Sequence, residues 1–287
     1  MVLAPEIQKK VKEIKILTRR ALSALQIGNF SSAKKGSGFE FDQLRDYAFG
    51  DDVRTIDWKS SARTGKILVK QYIEERNRVF WLCVDLSSSM SFSTTDLLKQ
   101  ELAANAASIL ALASGHTQDL VGLILYSDSV ELCIPPKKGA AHIEHIVQQL
   151  QSLRPTKNKT SDISVCMNYI LSLKKGKSYV FVFSDGQEQA SKELLYVMQK
   201  RHNMVLFLCN DVQEVHPTVR GMIHTQDLES AVSAQMIFHA KLVRNLLATS
   251  HDQLVSSYKQ AKVPVVQLYT NHGYMDSMIQ FFKQYII

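Results

Sequence analysis

Asp85-Leu86-Ser87-Ser88-Ser89 sets one carboxyl and two alternate hydroxyls on a stretch short enough to converge on a point. Hard divalent cations favour such all-oxygen sets, and Mg²⁺ commonly keeps some positions for water or a partner's group. Taken alone, the same hydroxyls also read as caps for a helix beginning near Asp96. A second acid shifts the balance towards a cation, because Ser184-Asp185-Gly186 closes another apolar run. If the two runs are neighbouring strands, Asp85 and Asp185 share one rim of a sheet. The loop ahead of a helix expected at 162–173 brings Thr160 or Ser161 to the same rim. Asp85, Ser87, Ser89, that hydroxyl and Asp185 then make an octahedral oxygen site with at least one open position.

The elements that must position these residues follow from periodicity. Val79-Phe80-Trp81-Leu82-Cys83-Val84 is a short apolar run, the pattern of a strand buried on both faces. Open parallel sheets bind ligands at the C-terminal ends of such strands. Beyond it the spacing predicts a helix at about 96–114 and a hairpin of strands at 120–126 and 130–134, ended by Pro135-Pro136. Helices are expected at about 141–152, 162–173 and 190–201, with strands at 179–183, 204–208 and 222–225. A long helical stretch at 230–261, a strand at 264–269 and a helix at 274–286 close the chain. This alternation predicts an α/β fold, a mostly parallel sheet with one antiparallel edge strand and helices on both faces.

Residues 1–78 read as an extension preceding a domain at 79–287. Ile7, Val11, Ile14, Leu17, Ala21 and Leu25 form one stripe of a helix at 5–26, whose other faces carry Lys and Arg. A breaker-rich loop, 28–38, leads into a block that mixes acids, arginines and aromatics, including Arg45, Asp51, Asp52, Arg54, Asp57, Trp58 and Arg63. Such mixing suggests a compact loop cluster in which Arg45, Arg54 and Arg63 grip carboxylates in fork geometry. The block is either architecture or a partner-binding surface, with architecture first. A strand at 66–76 follows.

Composition narrows the rest. Of 287 residues, 45% are apolar, enough for a globular core. No apolar run approaches the roughly 20 residues that span a bilayer, and the charged N-terminus lacks a signal-peptide core, so a cytoplasmic protein is expected. Cys83, Cys133, Cys166 and Cys209 are far apart in apolar contexts and read as buried thiols rather than zinc ligands or disulfides. The histidines read as surface residues. Residues 1–78 hold 16 Lys/Arg against 10 Asp/Glu, so most of the formal +7 lies there. That excess permits a weak contact with a membrane surface or nucleic acid, but no base-stacking pattern accompanies it and no specific nucleic acid is expected. A phosphoryl hydrolase would need a second acid two residues after Asp85, where Ser87 stands. No G-x-S-x-G, H-E-x-x-H or complete P-loop is present, so no catalytic residue is assigned and an enzyme is not expected.

Asp85-Leu86-Ser87-Ser88-Ser89 resembles the D-x-S-x-S signature of von Willebrand factor type A domains, and Ser184-Asp185-Gly186 resembles their second acidic motif. The resemblance implies a metal-ion-dependent adhesion site for Mg²⁺ or Mn²⁺, with Ser161 in the place of the family's Thr and Thr160 one residue out of register. Phe39-Glu40-Phe41, Leu44-Arg45-Asp46-Tyr47, Gly50 through Trp58 and Ala62-Arg63-Thr64 resemble the hallmark block of the bacterial domain-of-unknown-function family 58, with Asp227-Leu228-Glu229 as a weaker late motif. That resemblance implies a von Willebrand type A-like domain after the block. It also implies an adaptor or co-chaperone that works with a MoxR-type AAA+ ATPase and binds a protein partner offering a carboxylate to the metal.

Overall fold

The computed structural model describes residues 35–36, 40–73, 78–116, 119–154, 159–173, 176–187, 190–215, 221–226, 233–238, 251–271 and 273–285. The helix expected at 5–26, most of the loop at 28–38 and the motif at 227–229 lie outside them. The chain divides into two compact units, one formed by Gly28–Asn77 and one that carries Arg78–Ile287.

In the first unit, β1 (Lys35–Gly36) and β2 (Glu40–Asp46) both pair antiparallel with β3 (Leu68–Ile73). The expected loop cluster is therefore only partly a loop: its first third is a strand, and α1 (Trp58–Thr64) occupies its end. Asp57 caps α1 by accepting from the Ser60 N–H at 3.0 Å, and Gly65 ends it in the left-handed region.

The second unit holds a six-stranded sheet in the order β11-β8-β7-β4-β5-β6. The strands are β4 (Val79–Asp85), β5 (Leu120–Tyr126), β6 (Val130–Lys137), β7 (Tyr179–Ser184), β8 (Asn203–Asn210) and β11 (Val265–Tyr269). All neighbours run parallel except β5 and β6. The hairpin does not end at the prolines: β6 continues through Pro135-Pro136 to Lys137. An edge strand tolerates this, and the β5–β6 register shifts at the prolines, between the pairs Leu123–Ile134 and Val121–Lys137.

Helices connect the parallel strands. They are α2 (Lys99–His116), α3 (Ala140–Gln151), α4 (Ile163–Ser172), α5 (Lys192–Arg201), the short α6 (Val212–Val215), α7 (251–260) and α8 (Tyr274–Tyr285). Successive residues of β4 enter opposite cores, as the strand's period of two requires. Phe80, Leu82 and Val84 pack with α2, α3 and α8, whereas Trp81 and Cys83 pack with α4, α5 and α7. Gly122 on β5 makes room for Trp81, since a Cβ there would come within 2.8 Å of the indole.

Within 230–261 the expectation of continuous helix fails. Ser233–Phe238 is a strand, β10, paired antiparallel with β9 (Gly221–Gln226) through six register pairs. Ala, Gln and Met in this segment favour a helix, and pairing with the preceding strand overrides that preference. The thiols agree with the expectation: Cys83, Cys166 and Cys209 are buried, Cys133 is half-buried, and all are free. Burial pushes the Cys83 thiol well up, and the neighbouring Cys166 adds to it. His202 departs from the surface reading. It is buried, its Nδ1 lies 2.8 Å from Ser178 Oγ, and burial lowers its pKa.

Candidate metal centre

β4 and β7 are neighbours, and the chain leaves them towards opposite faces of the sheet, β4 into α2 and β7 into α5. The strand order therefore switches direction between them, which opens a crevice at their C-terminal ends. Asp85 is the last residue of β4, and Asp185 follows the last residue of β7.

Asp85 is fully buried. Its Oδ1 accepts from the Ser87 N–H at 2.8 Å, which turns the chain sharply after the strand. Its Oδ2 accepts from the hydroxyls of Ser161 at 2.6 Å and Ser184 at 2.9 Å. Ser87 Oγ and Ser89 Oγ lie 3.0 Å apart, both buried. Burial and the charge of Asp185 push the Asp85 pKa up, against the pull of the Ser161 hydroxyl and the Ser87 N–H and hydroxyl.

Neither Ser87 nor Ser89 caps the helix that follows. Ser87 makes no side-chain cap to the 3-10 turn it precedes, and α2 begins only at Lys99. Thr95 Oγ1 and Glu101 Oε2 instead accept from the N–H groups of Leu97 and Leu98 just ahead of α2, at 3.4 Å each. The capping reading is thus overturned by where the donors go. Ser88 pairs with a different loop, since its Oγ accepts from the Lys159 N–H at 2.8 Å and its own N–H donates to the Lys159 carbonyl. That pairing holds the segment before α4 against the loop after β4. Asp162 then caps α4 through the Ser164 N–H, and the preceding Ser161 is buried against Asp85. Thr160 is exposed. Of the two hydroxyls weighed for this place, the structure brings Ser161 to Asp85.

The Asp185 side chain is 3% exposed, and its Oδ2 accepts from Lys99 Nζ at 3.0 Å. Lys99 also donates to both oxygens of Glu214, at 2.9 and 3.0 Å. Burial opposes the charge on Lys99, but Asp185 and Glu214 outweigh it and raise the pKa of the ammonium. Burial raises Glu214, against the pull of Lys99. Behind Glu214, Asp211 accepts from Ser93, from the N–H and hydroxyl of Thr94, and from Thr270. These bonds tie together the loops after β4, β8 and β11. Gly186 completes the turn after Asp185 at φ 73°, where a Cβ would meet Leu208 and Leu254 at 2.7 Å.

Lys99, Ser184 and Glu214 are missing from the sequence-derived set. One signal for Lys99 was available: it stands four residues before Ala103 and eight before Ala107, on the buried face of α2. A lysine in an apolar stripe needs an acid beside it. Among the described residues no three His, Cys, Asp or Glu side chains form a metal-holding group. The convergent atoms are two carboxylates and several hydroxyls.

The hallmark block lies in the first unit. Arg45 grips Asp51 with both terminal nitrogens, at 2.7 and 2.6 Å, and Asp51 also accepts from the Ala48 N–H. Asp52 caps the 3-10 turn Val53–Thr55 and touches Arg54 through one nitrogen at 3.4 Å. The fork geometry expected of all three arginines is thus present at Arg45 alone among the described residues. Arg63 and Trp58 are exposed, and Asp57 caps α1.

A mostly parallel α/β sheet flanked by helices, with acids at the ends of two neighbouring strands, is the class that fold and site define. Residues 43–254 match the family described as protein of unknown function DUF58, and the chain belongs to that family. It is 21% identical over 282 residues to an uncharacterized protein of Mycobacterium tuberculosis, which covers 96% of this chain and 89% of the relative. An uncharacterized protein of Mycobacterium bovis matches to the same extent. Among solved structures, the conserved hypothetical protein BatB from Bacteroides thetaiotaomicron matches 73% of this chain and 98% of its own, at 14% identity and a TM-score of 0.48. An aerotolerance-related membrane protein from Bacteroides fragilis, crystallised with multiple mutations to serines, matches the same shares at 13% identity and a TM-score of 0.45. No helix among the described residues is long and apolar enough to cross a membrane.

Proposed function

We propose that the chain is a non-enzymatic protein-binding adaptor of the von Willebrand type A kind, holding Mg²⁺ or Mn²⁺ through Asp85, Ser87, Ser89, Ser161 and Asp185. The observation that carries this reading is the convergence of two buried strand-end acids with three buried hydroxyls in one crevice. The donor set fits a hard cation. Ser87 Oγ and Ser89 Oγ lie 3.0 Å apart and are neutral oxygens of the kind that would hold such a cation beside the two carboxylates. A divalent cation held there would supply Lewis acidity to bind a partner's carboxylate. The residues themselves do the positioning: the Asp85–Ser87 turn aims the serine hydroxyls, and the Ser88–Lys159 pairing holds Ser161 in place.

Phosphoryl transfer finds no second acid beside Asp85, because Ser87 occupies that position. Membership in this family, together with the resemblance of the hallmark block, supports a MoxR-type AAA+ ATPase as the working partner and protein assembly or maturation as the setting. Affinity capture with Mg²⁺ or with chelator, using the wild-type chain and Asp85→Ala as baits, tests the reading. A partner retained only by wild type in Mg²⁺ supports it. The same partner retained in every arm would show that the contact does not pass through a metal.

A further inference from the structure

A site made for a divalent cation has no need of an ammonium, yet Lys99 reaches into this one. Its side chain is 1% exposed, with Nζ at 3.0 Å from Asp185 Oδ2. The placement is costly. Burying a charge must be offset by partners, and the first turn of a helix is already the positive end of its dipole. Packing does not require the charge, because the same face of α2 continues with the fully buried Ala103 and Ala107. The ammonium also has a second holder that is not an acid of the proposed cation site. Glu214 binds Nζ through both oxygens, and it is carried on α6, just after Asp211, which is anchored to Ser93, Thr94 and Thr270. The anchoring of the segment that carries Glu214 therefore does not involve Asp185.

We infer that Lys99 is a resident counter-ion that neutralises Asp185 when no divalent cation is present and passes to Glu214 when one binds. The inference rests on the cation-site reading above and names how that site is regulated. An ammonium and a divalent cation on one carboxylate repel each other at short range in a poorly screened crevice. Cation binding at Asp85 and Asp185 thus has to displace Nζ from Asp185. Lys99 lowers the affinity of the site, and Glu214 restores part of it by accepting the displaced charge. Lys99 also keeps the cation-free crevice from holding two unscreened acids beside each other.

Mn²⁺ binding to the full chain, followed through the paramagnetic resonance of the free ion, separates these roles. Lys99→Met is expected to tighten Mn²⁺ binding by about tenfold or more. Glu214→Gln leaves the ammonium with Asp185 as its acid and is expected to weaken binding by a similar factor. In the Lys99→Met background, Glu214→Gln should have a much smaller effect, because there is no ammonium left to accept. Glu214→Gln keeps the side chain's shape and one oxygen for Lys99, so the comparison survives even if Lys99→Met folds poorly. Equal affinities in wild type and both single variants would overturn the inference and leave the cation site standing. An undiminished effect of Glu214→Gln without Lys99 would overturn the handover. Absence of Mn²⁺ binding in wild type and every variant would overturn the cation-site reading, and the inference with it.

Discussion

Arg45–Asp51 in the first unit and Lys99–Asp185 at the rim of the large sheet are both carboxylate–cation pairs, in opposite settings. The side chains of the first are 39% and 19% exposed, and those of the second 1% and 3%. The half-buried pair has the better geometry, a two-pronged grip supplemented by the Ala48 N–H. Water competes for both of its members, so it braces a local turn and little more. The buried pair has a single contact at Asp185, yet removing Lys99 leaves a 3% exposed carboxylate without its counter-charge. Geometry alone is therefore a poor guide to which pair matters, and the surroundings decide. The same contrast separates what holds the hallmark block together from what governs the strand-end acids.

Breaking the buried pair should have the largest effect. Without divalent cation, Lys99→Met leaves the buried Asp185 uncompensated and is expected to cost about 3–5 kcal/mol in urea unfolding. A loss within error of wild type would mean that water reaches the crevice and that the pair is not dry. A smaller effect is expected beside it. Asp162→Ala removes the cap of α4 next to Ser161 and should cost about 1 kcal/mol in the same measurement. The smallest effect belongs to the half-buried Arg45–Asp51 pair. The Arg45 guanidinium and the Ala48 N–H hold Asp51 down to about 2, against an ordinary value of 3.8. Because the folded value lies below the unfolded one, its stabilisation is present above about pH 4 and fades as pH falls through about 2. Asp51→Asn should therefore lower the melting temperature slightly at neutral pH, with the gap closing across that window. A gap that stayed constant through the acid range would separate Asp51's role from its charge.

Much of the large unit can be read from residues alone, because its strands are short and buried on both faces. Val79–Val84 and Tyr179–Phe183 contain few residues that suit anything else, and the acids that follow them stand where an open sheet places its ligands. What escaped was set by pairing and by tertiary contacts rather than by local composition. Ser233–Phe238 looks helical until β9 is beside it, and Pro135-Pro136 looks like a stop until β6 is known to be an edge. Ser161 and Thr160 are equivalent as chemistry. The choice between them depends on the Ser88–Lys159 pairing and the Asp162 cap, two contacts that spacing does not reveal. Lys99 escaped because lysines are ordinarily solvated, and only its register with Ala103 and Ala107 argued otherwise.

The central claim is that the crevice between β4 and β7 is a divalent-cation site. Asp85 is the residue on which it turns, and its environment makes a clean test possible. Burial and Asp185 push its pKa up, so the ionised carboxylate is poorly accommodated without a cation. Asp85→Asn removes the charge and keeps an oxygen for the Ser87 N–H. Thermal melting with and without Mg²⁺ therefore gives the most direct measurement. The wild-type protein should melt higher in Mg²⁺, with a gain of about 2.7 kcal/mol at a hundredfold excess over Kd. Metal-free Asp85→Asn should melt no lower than metal-free wild type and gain nothing from Mg²⁺. An equal gain in both proteins, or none in wild type, would contradict the account.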